Sequence, residues 1–384
     1  MHFQFSEEHL MIQKAARDFA VNECLPGVIE RDEHQRFPHD QVMQLADLGF
    51  MGMMVSPGYG GAGMDTISYV LAMEEISKID ASVSVCMSVN NSLVTWGLDK
   101  YATEEQKQKY LVPLAQGKKD GQLYIGAFLL SEPEAGSDAT SQHTTAIDMG
   151  DHYLLNGTKN WITNGSSASV YLVMAQTDAS KGSHGINTLI VEKHWPGVTV
   201  GAKENKLGIR GSDTHSISFN DVKVPKENRI GEDGFGFKFA MKTLAGGRIG
   251  IASQALGIAS GSYELSLKYS KERKAFGKEI MHHQAIQFKL ADMATRIEAA
   301  RMLCLKAAWE KDNGIDYTLS SSMAKVFASE TAMWCATEAV QIHGGYGFVK
   351  EYHVERFMRD AKITQIYEGT SEVQRIVIGR SILK

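Results

Sequence analysis

Apolar positions in the first hundred or so residues recur every three to four places. After Ser6, placed like an N-cap before the acidic first turn of Glu7 and Glu8, Ile12, Ala15, Ala16 and Phe19 share one helical face. Further helical stretches are predicted over 40–48, 66–79, 83–101 and 103–114, the last opened by Thr103 and Gln106 at capping-box spacing. From about residue 122 the pattern changes to short alternating or apolar runs. Tyr153-Leu154-Leu155, Asn156-Gly157, Trp161-Ile162-Thr163 and Asn164-Gly165 read as strands separated by hairpin turns, with further strands over 169–176, 187–191 and 215–219 and Pro225 closing the set. Helical periodicity returns near Gly234, through Ile286, Leu290, Met293 and Ile297 and again over 320–342, broken by Asn313-Gly314 and Gly344-Gly345. The order predicts an α+β chain of three domains: residues 1–121 all-helical, 122–232 β, 233–384 all-helical.

Composition narrows the chemistry. With 384 residues the chain can bury a large core without disulfide staples. A net charge of −5 argues against a nucleic-acid surface, which needs concentrated Lys and Arg, and leaves a small molecule or a protein as partner. Cys24, Cys86, Cys304 and Cys335 are widely separated and read as buried thiols of a reducing compartment, with no metal site indicated. The start, Met1-His2-Phe3-Gln4-Phe5, lacks the basic and apolar regions of a secretory leader. No 18-residue apolar run suggests a membrane span, and the expectation is a cytoplasmic protein.

Several segments could carry chemistry. Gly58-Tyr59-Gly60-Gly61-Ala62-Gly63 matches GxGxxG but leads into helices rather than a βαβ unit, so it reads as a tight loop. From Phe128 to Asp138 a strand runs into a turn in which Ser131 and Ser137 bracket a Pro and a Gly, offering hydroxyls and free amides to a polar ring or phosphate, or forming a plain loop. Trp161 could wall a planar cofactor; taken alone, core packing is its ordinary role. Among Lys268, Lys271, Arg273, Lys274 and Lys278, Arg273 best suits a diphosphate, against the alternative of a solvated helix face. Gln341-Ile342-His343-Gly344-Gly345 ends a helix with glycines that admit a ligand or simply cap it, and His343 reads as a helix-end histidine. In Ile366-Tyr367-Glu368-Gly369-Thr370-Ser371-Glu372 a carboxylate stands between an aromatic residue and a glycine turn. It could serve as a general base, or the segment could merely open the last helix with Thr370 or Ser371 as N-cap.

Taken in order, these segments resemble the acyl-CoA dehydrogenase family over essentially the whole chain, closest to its short-chain (butyryl-CoA) branch. The resemblance implies an N-terminal helical domain, a middle β-barrel or sandwich domain and a C-terminal four-helix bundle, assembled as a homotetramer that binds FAD. It implies α,β-dehydrogenation of an acyl-CoA to the trans-2-enoyl-CoA, as in fatty acid β-oxidation, with Glu368 removing the α-proton and the β-hydride going to flavin N5. Electrons would pass to electron-transfer flavoprotein.

By the same resemblance Phe128, Leu129, Leu130, Ser131 and Ser137, with Trp161, Ile162 and Thr163, meet the flavin ring and ribityl chain, and Thr370, Ser371 and Glu372 lie beside its phosphates and adenosine. Arg273, Gln284, Gln341, Ile342, His343, Gly344 and Gly345 reach the ADP half from neighbouring subunits. Ser137, Gly247, Arg248 and Gly369 match positions that contact acyl-CoA. The thioester oxygen would be held by a ribityl hydroxyl and the Glu368 amide.

Where some relatives carry the base, immediately before Arg248, this chain has Gly247, which leaves Glu368 without a rival. Ala245 stands where short-chain relatives often have Asp, Ala275 where medium-chain ones often have Thr, and Glu134 replaces a smaller residue. An acyl-CoA oxidase usually has a longer C-terminal region than this chain, which ends at Lys384; oxidase, branched- or medium-chain dehydrogenase and non-catalytic acyl-CoA-binding flavoprotein are the competing expectations.

Overall fold

The structure, a computed structural model, describes residues 4–383. Met1, His2 and Phe3, read above for the lack of a leader, and Lys384 lie outside them. Helices come first, then a β layer, then helices again. Ser6 caps Glu7–Phe19 by accepting from the His9 amide, and Thr103 and Gln106 form their capping box.

The helix expected over 83–101 starts at Ala81, capped by the Asp80 carboxylate, and widens to a π-turn at Val89–Thr95 before Trp96–Tyr101 resumes. A π-turn shifts the following side chains around the axis and is found mostly where function needs it. Here it aims polar groups across a domain junction. The Asn90 amide donates to the carbonyls of Met51 and Leu114 at 2.8 and 2.9 Å, and its oxygen accepts from Gly126 N–H at 2.9 Å. The N-terminal helices are thereby fastened to the first long strand of the β layer.

That layer is an eight-stranded sheet in the order Arg229–Ile230, Ile186–Glu192, Val170–Gln176, Thr145–Asp148, His152–Thr163, Thr214–Pro225 and Val198–Lys203; Gly126–Leu129 pairs in parallel with Val170–Gln176. Val170 to Ala175 are all buried, as expected of a strand covered on both faces. One sequence expectation fails here. Asn156-Gly157 is not a hairpin turn: His152–Thr163 is one continuous strand, and Asn156 lies opposite a bulge at Asn220 and Asp221 in Thr214–Pro225. The Asn156 side chain is satisfied across the bulge, donating to Asp221 Oδ1 and accepting from Asp221 N–H, so this pair braces a bend in the neighbouring strand rather than reversing its own. A second register shift, between Lys159 and Ile162, affects Trp161.

The C-terminal bundle is built on the 37-residue helix Gly236–Glu272, packed against Gln284–Asp312 and Thr318–His343. Its small residues let neighbours approach closely; a Cβ on Gly257 would lie 2.4 Å from the Glu74 carbonyl oxygen. His353–Thr364 and Ser371–Ile382 complete the fold. The four cysteines are free and buried. Among the described residues no helix is long and apolar enough to cross a membrane.

Candidate functional site

The turn between the last two helices is built around Glu368. Amides of Ile366 and Tyr367 bond to the Ile363 carbonyl, and Ser371 N–H reaches Gln365 O at 2.9 Å; the Glu368 amide takes no part in these bonds. Thr370 is the N-cap of Ser371–Ile382, its hydroxyl accepting from Val373 N–H. Glu368 itself has φ +51° and Gly369 φ +91°. A non-glycine residue in the left-handed region is strained, and such residues cluster at functional sites. Two side chains hold the turn: Gln374 Nε2 donates to the carbonyls of Glu368 and Gly369 at 3.1 and 3.0 Å, and Lys325 Nζ donates to Gly369 O at 2.7 Å.

The Glu368 carboxyl points inward. Its Oε2 is buried without a hydrogen-bond partner. A Cβ on Gly247 would fall 2.1 Å from Oε2 and 2.7 Å from Leu93 Cδ2, so the side chain rests on the bare backbone of the Gly236–Glu272 helix. Burial pushes the carboxyl up to about 7, with the Lys325 and Arg248 charges pulling the other way. Arg248, also buried, donates from Nη1 to Ser322 Oγ at 3.2 Å and leaves Nε without a partner. The Tyr367 hydroxyl donates to Gln254, whose own amide donates to the Ala81 carbonyl at 2.8 Å, and so closes the inner wall. An aromatic wall, a carboxyl near neutral pKa with one oxygen buried and unpaired, and an open glycine face make a site fit to remove a weakly acidic proton.

The π-turn connects this group to the β layer. Leu93 lies at Gly247, and the next residue, Val94, would be 2.5 Å from a Cβ on Gly126, at the start of the Gly126–Leu129 strand. Phe128 is half-buried while Ala127 and Leu129 are buried. Beyond them, the loop from Leu130 is pinned from beneath by Lys159, whose buried ammonium donates to Leu130 O (3.0 Å), Glu132 Oε1 (2.8 Å) and Gln142 Oε1 (3.1 Å). Glu132 also accepts from the amides of His143 and Thr144, and Asn160 N–H bonds to Ser131 O. Ser137 and Glu134 are exposed on this loop, and a Cβ on Gly136 would meet nothing within 4 Å.

Trp161 departs from its ordinary role. Between the shifted registers it takes φ +61° and is 60% exposed, while Ile162 turns into the core and Thr163 is half-buried. A large indole held in a strained conformation away from the core, beside an open loop of free polar groups, fits a planar ring and its polar chain. The residues present therefore suit FAD.

Thr370, Ser371 and Glu372 line a cleft of about 160 Å³ with Glu330, Lys362, Gln365 and Ile366. Arg273, Gln284, Gln341, Gly344 and Gly345 are exposed elsewhere; the Arg273 guanidinium stands 5.5 Å from the Tyr346 ring, and Ile342 and His343 are buried, His343 stacked on Tyr269. Gln341 lies 16 residues beyond Lys325 on Thr318–His343, about 24 Å along the axis at 1.5 Å per residue. One chain therefore brings Glu368, Gly369, Gly247 and Arg248 together, and keeps the group around 341–345 apart. Sequence reading missed Lys325, Gln374, Gln254 and Leu93; the one available signal was a lysine placed among Ser320, Ser321, Ser322, Ala324 and Ala328, on a helix face of small residues.

Models of the N-terminal, middle and C-terminal domains of acyl-CoA dehydrogenases match residues 6–118, 127–222 and 234–383. The short-chain-specific acyl-CoA dehydrogenase of Clostridium acetobutylicum is 48% identical over 384 residues, the whole of both chains. Butyryl-CoA dehydrogenase from Megasphaera elsdenii superposes over the full length of both chains with TM-score 0.97 and 48% identity. A chain from a structure described as the electron-transferring flavoprotein of Acidaminococcus fermentans, studied for flavin-based electron bifurcation, matches over both full lengths with TM-score 0.98 and 49% identity.

Proposed function

The chain belongs to the acyl-CoA dehydrogenase family, and from that premise we propose that it converts a short-chain acyl-CoA to the trans-2-enoyl-CoA, with Glu368 as the base that takes the α-proton. The observation that carries this reading is the half-buried Glu368 side chain, its Oε2 buried, unpaired and seated against Gly247. An acyl thioester entering beside Gly247 excludes the remaining water, which strengthens the carboxylate as a base. The amide of Glu368, left out of the turn's own bonds, is available to the thioester oxygen as charge develops there. Arg248 and Gly369 border the same space, and Tyr367 walls it.

FAD, when bound, supplies the acceptor for the β-hydride. Phe128, Leu129, Leu130, Ser131 and Ser137 with Trp161, Ile162 and Thr163 would hold its ring and ribityl chain, and Thr370, Ser371 and Glu372 its phosphates and adenosine. The distance separating 341–345 from the Glu368 turn supports the reading that Arg273, Gln284 and residues 341–345 serve a neighbouring subunit's FAD, within a homotetramer. The exposed Phe276 and Phe348, 95% and 86% accessible beside that group, suit an interface. Electron-transfer flavoprotein as acceptor, cytoplasmic location and service in fatty acid β-oxidation complete the proposal.

Anaerobic titration with butyryl-CoA, octanoyl-CoA and isovaleryl-CoA, followed by flavin absorbance, tests it. Strongest bleaching by butyryl-CoA, reversed quickly by electron-transfer flavoprotein and slowly by air, is expected. Preference for another acyl group would move the substrate, and rapid reoxidation by air would make the protein an oxidase.

A further inference from the structure

Lys325 lies in the middle of Thr318–His343, wholly buried, and its ammonium is spent on one backbone oxygen, that of Gly369. Burying an ammonium is costly unless it meets strong partners, so a lysine kept there for packing alone would be a poor solution. What it grips is the residue after Glu368, in a turn whose two central residues both have positive φ. Gln374 grips the same carbonyl from the last helix. The charged and titratable groups facing this point are Glu368 itself, Arg248 from the Gly236–Glu272 helix and Glu372 from the last helix; Tyr367 and Tyr69 face the carboxyl.

We infer that Lys325 is a positioning residue for the proposed base: its ammonium fixes the Gly369 carbonyl, and so sets both where the Glu368 carboxylate sits and how readily it holds charge. The inference rests on the proposed function. Of the two cations near Glu368, Arg248 cannot give up its proton in the accessible range, whereas Lys325 can. Burial pulls Lys325 down to about 8, against the raising influence of Glu368. Proton abstraction is then fastest with Glu368 ionised and Lys325 protonated together, and the rate falls on the alkaline side as Lys325 loses its proton.

The test compares wild type, K325M and K325R as FAD-loaded proteins. Glu368 is titrated without ligand by infrared difference spectroscopy against Glu368→Gln, and flavin reduction by butyryl-CoA is timed from pH 5.5 to 9.5. In K325M the Glu368 midpoint should rise by about one unit, the lower end of what a nearby opposite charge does. Its reduction rate should then fall most at acid pH. K325R should keep the acid limb and lose the alkaline limb near pH 8. An unmoved Glu368 midpoint in K325M, or a rate loss equal at every pH, would overturn the inference; so would an alkaline limb persisting in K325R. The infrared midpoint does not depend on turnover. A wild-type flavin that no acyl-CoA bleaches, with the midpoint still moving in K325M, would therefore strike the proposed function and not the coupling.

Discussion

Gly247 and Glu368 share one point in space: a Cβ on the first would stand 2.1 Å from the carboxyl oxygen of the second. The proposed base is seated on a helix that lacks a side chain there, and any residue but glycine would close that seat.

Gly247→Ala should displace the carboxylate without unfolding the protein, because the atoms it meets are the ends of two side chains, Glu368 and Leu93. Overpacking of this kind costs about 1–3 kcal/mol, which as lost alignment corresponds to a roughly tenfold to hundredfold slower flavin reduction. Stopped-flow reduction by butyryl-CoA, with FAD content measured alongside, checks it.

The acid limb of kcat/KM should lie near pH 7, where burial has moved Glu368, with activity rising as pH rises. Stability should run the other way. The folded state keeps this proton up to about 7, whereas the unfolded chain releases it near 4.3, so this group's contribution to stability falls as pH climbs between those values. Urea unfolding at pH 5 and pH 8 should show a decline that is smaller in Glu368→Gln.

The helical, β, helical order was legible because periodicity is local, and so was a cap at Thr370 or Ser371, of which the structure uses Thr370. What failed depended on contacts across the chain. Asn156-Gly157 has the composition of a turn, and only its place opposite the bulge at Asp221 shows it to be mid-strand. Trp161 taken alone read as core because large aromatics usually are; a register shift in its own strand, where Asn160 and Trp161 oppose Ser216 alone, turns it outward. Glu368 could be suspected from its neighbours, but its seat at Gly247 and its grip through Lys325 and Gln374 arise from packing of separate helices. Lys325 went unread because a lone lysine in a helix is normally solvated.

Lys159→Met should strand Glu132 as a buried, unpaired carboxylate, although two amides still bond it. Removing one partner of a buried pair costs about 3–5 kcal/mol. Thermal unfolding of the apoprotein should fall accordingly, and FAD should dissociate more readily, because Lys159 also anchors the Leu130 carbonyl.

Trp161→Gly separates a cofactor wall from a core residue. The indole is exposed and the backbone left-handed, so the apoprotein should keep its stability or gain about 1 kcal/mol as strain is relieved. FAD affinity, followed by fluorescence quenching, should drop at least about tenfold, the loss of a stacked aromatic contact. A large loss of apoprotein stability would return Trp161 to the core.

The central claim, that Glu368 is the base, is met most directly by anaerobic mixing of Glu368→Gln with butyryl-CoA. The variant should remain yellow with FAD, bind the thioester and fail to bleach, its reduction slowed by about a hundredfold or more, as for loss of a general base. Bleaching at the wild-type rate would contradict the account and remove Glu368 from that role.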